Sequence, residues 1–401
     1  MRLLQSVLPT LRQTKKPPQQ FLTHLLGLLL RLPGHATFRN LSRYSAYHER
    51  TFARWYARDF DFVSLNKAAI RPVIPPEPAQ ALGIDASFVP KSGKQTSGLD
   101  RFWNGSHSRT EKGLDISGRA GLDITDHCAY GLSAEQTPPG DQPTTSETTR
   151  IEGYREQLTR VVSQPHLSPL RYVITDGYDS KQQCLRGIRA LGLEQSGQRR
   201  LAANLRSLYQ GLQRPGPGRR HTSDGTVPWD NLVRLEKVEP EDDDSVLYHQ
   251  GLNPVQVQGN LRVVLVVDTK HNRKAVLFST DLNLDALTLY RYYKARFQIE
   301  FLFRDAKQFT GLTDCQARSQ AKLNFHFNAS LSTVTLAKLE ARQQNGDAVS
   351  GFSMASLKRR AFNQHLIARI SQYLAQGHSL EKSSPDYEEL CNYGTITETA
   401  A

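Results

Sequence analysis

The chain has 401 residues, enough to bury a large core and to form more than one structural unit. With 38% hydrophobic residues and no apolar run long enough to span a bilayer, it argues against a helical membrane protein. The net charge of +12 points to a polyanionic partner, and residues 1–80 hold twelve Lys/Arg against four Asp/Glu, so most of the excess lies in the first fifth.

In chain order, "FLTHLLGLLL" (Phe21 to Leu30) carries His24 and lacks a small-residue cleavage site. It reads as a buried amphipathic helix rather than a signal peptide. Short helices broken at Pro33-Gly34 are expected up to Leu65. In that stretch Arg39, Arg43, Arg50, Arg54 and Arg58 alternate with Tyr44, Tyr47, Phe52, Trp55 and Tyr56. Thr51 is the expected N-cap of a helix carrying Arg54 and Arg58. Helix-turn-helix-like DNA binding and a basic bundle packed on a second domain are both compatible with this pattern.

"RPVIPPEPAQ" (Arg71 to Gln80) reads as an extended connector. A strand from Leu82 to Val89 follows, then two strand-like runs in "GLDISGRAGLDITDHCAYGLSA". "WNGSHSRTEK" between them reads as a polar loop. Its Ser106 and His107 could form a nucleophile pair, or the loop could lie near a site with Lys91, Lys94, Arg109 and Lys112 facing phosphates. After the polar loop Thr137 to Thr149, "RIEGYREQLTRVVSQ" is helical, "LRYVITDGYDSK" is a buried strand ending on Asp176-Gly177, and "KQQCLRGIRALGL" is helical again. From Leu212 to Asn283 come "RPGPGRRH", the acidic run Glu239 to Ser245, and a β-hairpin about "KHNRK". Asp281 or Asn283 can cap the long helix that follows, which closes at Gly311. Another helix, a polar linker, the basic helix "FSMASLKRRAFNQHLIARISQYL" and a polar tail from Gly377 complete the chain.

The long helix contains "LYRYYKARFQIEFLFRDAKQF" (Leu289 to Phe309). At about 100° per residue, Tyr293, Arg296, Glu300 and Lys307 share one narrow stripe. It is flanked by Phe297 and Phe301 on one side and by Ile299 and Phe303 on the other, residues that favour burial. One reading is a core helix with an Arg296–Glu300 pair at i, i+4.

Three carboxylates stand out by placement: Asp85 inside the first strand, Asp176 at a strand end, and Glu300 on this helix. Carboxylate oxygens suit Mg²⁺ or Mn²⁺, and two such ions can drive in-line displacement at phosphorus. Placement alone does not select these three, since Asp115, Asp123, Asp126, Asp179 and Asp268 compete with them. No G-x-x-x-x-G-K-[ST] phosphate loop and no G-x-S-x-G elbow occurs, so no nucleotide cofactor is expected. Cys128, Cys184, Cys315 and Cys391 are far apart, fit neither a zinc module nor a disulfide framework, and suit a reducing cytoplasm.

Tyr293-x2-Arg296-x3-Glu300-x6-Lys307 resembles the Y-R-E-K signature of bacterial insertion-sequence transposases of the DDE class. "IDASFVPKSGK" around Asp85 and "YVITDGYDSK" around Asp176 resemble that family's segments around its first and second aspartates. The resemblance runs in patches from about Gly83 to Leu336. It implies an α/β fold: an RNase H-like catalytic core with an inserted β-rich subdomain, flanked by N-terminal and C-terminal helical segments. The corresponding division is 1–78, a basic helical DNA-binding region; 79–211, the first part of the core; 212–283, the insertion; 284–345, the catalytic-helix part; and 346–401, a C-terminal helix and polar tail.

The resemblance makes Asp85, Asp176 and Glu300 the catalytic ligands of two Mg²⁺ or Mn²⁺ ions. Tyr293, Arg296 and Lys307 would position DNA, with Arg54, Arg58, Lys91 and Lys94 as further contacts. The implied activity is metal-dependent cleavage and strand transfer at inverted-repeat ends of double-stranded DNA. A homodimer would act in the cytoplasm at the nucleoid, without membrane attachment. An inactive or domesticated DNA-binding relative and a metal-dependent nuclease of the same fold are the alternatives.

Overall fold

The computed structural model describes residues 2–11, 15–73, 80–139, 150–163, 170–176, 182–199, 205–208, 223–226, 235–240, 245–254, 260–345 and 352–395. Most of the expected connector at Arg71 to Gln80, most of the polar loop at Thr137 to Thr149, "RPGPGRRH", most of the acidic run, the linker before the basic helix, Gly177 and Asp179 lie outside the described residues.

The chain opens with helices Arg2–Val7 (α1), Lys16–Arg31 (α2), Phe38–Arg43 (α3), Glu49–Trp55 (α4) and Phe62–Ile70 (α5). Strands Gln80–Pro90 (β1), Asp100–Asn104 (β2), Arg109–Asp123 (β3) and Cys128–Gln136 (β4) follow. Then come helix Arg150–Val162 (α6), strand Tyr172–Thr175 (β5), helix Gln182–Ala190 (α7) and strand Glu194–Arg199 (β6). A run of strands comprises Leu205–Leu208 (β7), Ser223–Thr226 (β8), Glu236–Val238 (β9), Ser245–Pro254 (β10), Leu261–Asp268 (β11) and Arg273–Ser279 (β12). Helices Ala286–Phe309 (α8), Gln320–Asn345 (α9), Met354–Ala375 (α10) and Pro385–Cys391 (α11) close the chain.

The strands form one mixed sheet. In its core β3 pairs antiparallel with β1 and β4, while β5 lies parallel to both β1 and β6. That order, with helices on both faces, is consistent with an RNase H-like fold. The alternation of β1 decides which helix meets which face. Leu82 and Ile84 join Leu158 of α6 and Ile188 of α7 in one apolar cluster. Gly83 and Asp85 point the other way, toward α8. The β11–β12 hairpin joins the same sheet through β12 against β6, so the β-rich stretch is hydrogen-bonded directly onto the core.

The N-terminal helices share a second core with α9. Leu22, Leu25, Leu26 and Leu29 of α2 are buried there with Phe52, Tyr56, Phe325 and Leu336. Spacing at i, i+3, i+4 and i+7 makes α2 the expected buried amphipathic helix. Phe21 stacks on Trp55 with centroids 4.9 Å apart. Three local expectations change. The α4 cap is His48, whose Nδ1 accepts from the Arg50 amide at 3.2 Å, so Thr51 lies inside the helix and Arg58 beyond its end. The α8 cap is Asp285, accepting from the Thr288 amide at 2.8 Å, because Asp281 is engaged by Arg171 and the Tyr172 hydroxyl. Strands β2 and β6 and the short α11 were not expected. Among the described residues, no helix is long and apolar enough to cross a membrane.

Lys67 of α5 is 3% exposed, and its Nζ donates to the Val161 carbonyl at 2.5 Å. Burial depresses its pKa from 10.5 to about 8. Between those values the unfolded chain binds more protons than the native state, so stability rises with pH across that window. The wild type is expected to gain about 2 kcal/mol over Lys67→Met across the window, read by urea unfolding at its two ends. Parallel pH slopes for the two proteins would contradict this.

Candidate active site

α8 approaches the sheet closely because two strand positions lack a Cβ. A Cβ on Gly83 would sit 2.4 Å from Ile299 Cδ1, and one on Gly118 would sit 2.5 Å from Phe303 Cζ. Gly118 lies directly opposite Asp85 in the β1–β3 register. These two glycines therefore set how near Glu300, carried between Ile299 and Phe303, comes to Asp85. Gly118→Ala is expected to cost about 1–3 kcal/mol by overpacking. It should also lower activity about a hundredfold by displacing the helix that carries Glu300. Urea unfolding and a DNA-cleavage assay on the folded variant check both numbers; unchanged values would show that the spacing is slack.

Asp85, Asp176 and Glu300, read from strand, strand end and helix, line one cleft of about 980 Å³. Arg296 and Lys307 line it too. Asp85 accepts from the Ala86 amide at 2.9 Å and from Arg296 Nη1 at 3.0 Å. Arg296 Nη2 lies 3.5 Å from Glu300 Oε1, so the i, i+4 pair exists and extends to a second carboxylate. Burial pushes the Asp85 pKa up to about 6; Arg296 opposes this, while the charges of Asp176 and Glu300 add to it. Burial works against the Arg296 charge, but the surrounding carboxylates outweigh it and hold its pKa up. The cleft thus concentrates more negative charge than its buried arginine offsets.

Tyr293 stands beside Arg296, whose guanidinium lies 5.6 Å from the ring centre, and its hydroxyl donates to Gln198 of β6. Burial depresses the Lys307 pKa. Lys91 and Lys94 line a neighbouring cavity of about 960 Å³ with Arg318 and Asp314, and Lys91 Nζ donates to the Cys315 carbonyl. Arg54 and Arg58 are exposed on and just after α4, and Arg58 lies 4.3 Å over the Trp55 ring.

The competing aspartates separate by partner. Asp123 and Asp126 are both held by Arg342, and Asp268 accepts from His271 in the β11–β12 turn. Asp115 does line the cleft, accepting from Thr137 Oγ1 at 2.5 Å. On α8, Ile299 and Phe303 are buried as expected, but Phe297 and Phe301 are 53% and 38% exposed. That flank faces outward because the sheet covers only the other. The sequence reading also passed over Trp103 and Arg304, both at the cleft. The in–out alternation of Phe102, Trp103 and Asn104 was the available signal. Ser106 and His107 do not form a nucleophile pair: His107 Nδ1 lies 3.0 Å from Glu111.

A family model described as a transposase DDE domain matches residues 83–336. The chain belongs to that family and is an insertion-sequence DDE transposase. A comparison with curated proteins gave no match. The family generally uses divalent metal ions. The donor set fits such a group, since every candidate ligand is a hard carboxylate oxygen and the cleft has excess negative charge. Among the described residues, no three acidic, His or Cys side chains are yet gathered closely enough to hold an ion. Arg296 engages Asp85 and Glu300 in that arrangement.

Proposed function

We propose that this transposase cleaves double-stranded DNA at the inverted-repeat ends of its own element and joins the freed ends to target DNA. Asp85, Asp176 and Glu300 would hold two Mg²⁺ or Mn²⁺ ions. The convergence of these three carboxylates in one cleft carries the reading. When bound, the ions supply activation of a water or 3′-hydroxyl and charge stabilisation at the leaving oxygen.

The protein groups do the rest. β1 holds Asp85 rigidly, with the Ala86 amide fixing one oxygen. Arg296 orients Asp85 and Glu300 and offsets part of their charge before DNA arrives. Its bidentate fork then turns to a phosphate, with Lys307 as a point charge and Tyr293 as an aromatic face beside it. The attacking oxygen forms a bond to phosphorus as the bond to the leaving 3′-oxygen breaks in line.

Residues 1–78 act as the DNA-end-binding region, with Arg54 and Arg58 on its exposed surface. Lys91 and Lys94 follow the backbone alongside the cleft. Residues 79–211 and 284–345 form the catalytic core, 212–283 its insertion and 346–401 a C-terminal extension. A homodimer holds both ends together at the nucleoid.

The test is incubation of the protein with its own gene and flanking DNA, with Mg²⁺ or Mn²⁺, against Glu300→Gln. Metal-dependent cuts at two fixed inverted ends, followed by joining, are expected. Binding without cutting in either metal would overturn the reading in favour of a DNA-binding relative. Cutting without joining would make the protein a nuclease. Random nicking that survives the substitution would place the active site elsewhere.

A further inference from the structure

We propose that Trp103 is a stacking platform for a nucleobase of the DNA end, held at the mouth of the carboxylate cleft. This rests on the DNA reading above. Trp103 lines the same cleft as Asp85, Asp176 and Glu300, yet is 61% exposed. Its strand neighbours Phe102 and Asn104 are buried, so the alternation of β2 turns the indole alone outward. An indole this exposed contributes little to the core, and beside a reactive cleft it offers a flat apolar face to a ligand.

The hairpin that presents it is tied down at its tip. Glu111 accepts from Asn104 Nδ2 at 2.6 Å and from Arg109 Nε at 2.6 Å, and lies 3.0 Å from His107 Nδ1. Asn104 Oδ1 accepts from the Ser106 amide at 3.1 Å. These partners hold the Glu111 pKa down to about 2, so the clamp stays charged at neutral pH. A rigid support spares a stacked ligand the cost of ordering the loop.

The neighbours determine what kind of ligand fits. Arg304, which lines the cleft, lies 4.7 Å over the Phe301 ring, and Lys307 lines the cleft as well. Cationic groups for a phosphodiester next to an unoccupied π-face are the pair of features that nucleic acid satisfies with one backbone and one base. Stacking tolerates any base, so Trp103 would position the strand for cleavage without reading its sequence.

The experiment uses the full chain and duplexes of the element end carrying 5-iodouracil in turn at each position flanking the cut. Irradiation is expected to crosslink one such position to Trp103, identified by mass spectrometry. Trp103→Ala should weaken binding of the end roughly 5- to 150-fold, Trp103→Phe should restore most of it, and the salt dependence should stay unchanged because no charge is lost. Crosslinks that form but avoid Trp103, together with wild-type affinity in Trp103→Ala, would overturn the platform while leaving the transposase reading intact. Failure of the wild type to bind any element end would overturn both.

Discussion

Glu300→Gln is expected to abolish DNA cleavage, by at least about a thousandfold, while leaving the fold in place. The two halves rest on different observations. The Glu300 side chain is 45% exposed, and its partner is an arginine Nη at 3.5 Å, a contact worth about 0–1 kcal/mol in such a setting. The amide is nearly isosteric, and removing one of three neighbouring negative charges relieves Asp85, whose pKa should fall. Chemistry responds differently, because a neutral amide is a much poorer ligand for a hard cation than a carboxylate. Loss of a metal clamp on the reacting phosphate removes several kcal/mol of transition-state stabilisation, and about 4 kcal/mol is already a thousandfold. Cleavage rates across a Mg²⁺ and Mn²⁺ series, paired with thermal unfolding, check both halves. A folded Gln variant cutting within tenfold of wild type would remove Glu300 from the mechanism.

The largest effect on stability is expected far from the cleft. Arg342, 7% exposed near the end of α9, bridges Asp123 at 2.6 Å and Asp126 at 2.5 Å in the β3–β4 connection. The Asp123 side chain is 2% exposed. Arg342→Ala leaves that charge buried with only the Thr125 and Asp126 amides as donors, which should cost about 3–5 kcal/mol. Pairing Arg342→Met with Asp123→Asn should recover a good part of the loss, since no uncompensated charge is then buried. Urea unfolding of the three proteins separates the outcomes. A cost below about 1 kcal/mol for Arg342→Ala would mean that water reaches Asp123.

This pair also shows why placement in the sequence could not choose among the aspartates. Asp123 and Asp126 sit beside strand ends as plausibly as Asp176 does. What separates them is Arg342, more than two hundred residues away along the chain. Asp115, by contrast, does reach the cleft, which no local pattern announced. The cap of α8 was misjudged for a related reason: Asp281 is a good capping residue, but Arg171 and Tyr172 from β5 and its approach claim it first.

By itself, the sequence determined the elements whose signal is local. The periodicity of α2, the alternation of β1, the β11–β12 hairpin and the single stripe of Tyr293, Arg296, Glu300 and Lys307 follow from side-chain spacing that no distant contact alters. Tertiary structure alone decided how those elements meet. It placed Gly83 and Gly118 under α8, turned Arg296 onto Asp85, sent Lys91 to a neighbouring cavity, and left Phe297, Phe301 and Trp103 facing outward. The physical reason is that burial and pairing are set by what lies across the gap, and in this chain the partners across the gap are remote in sequence.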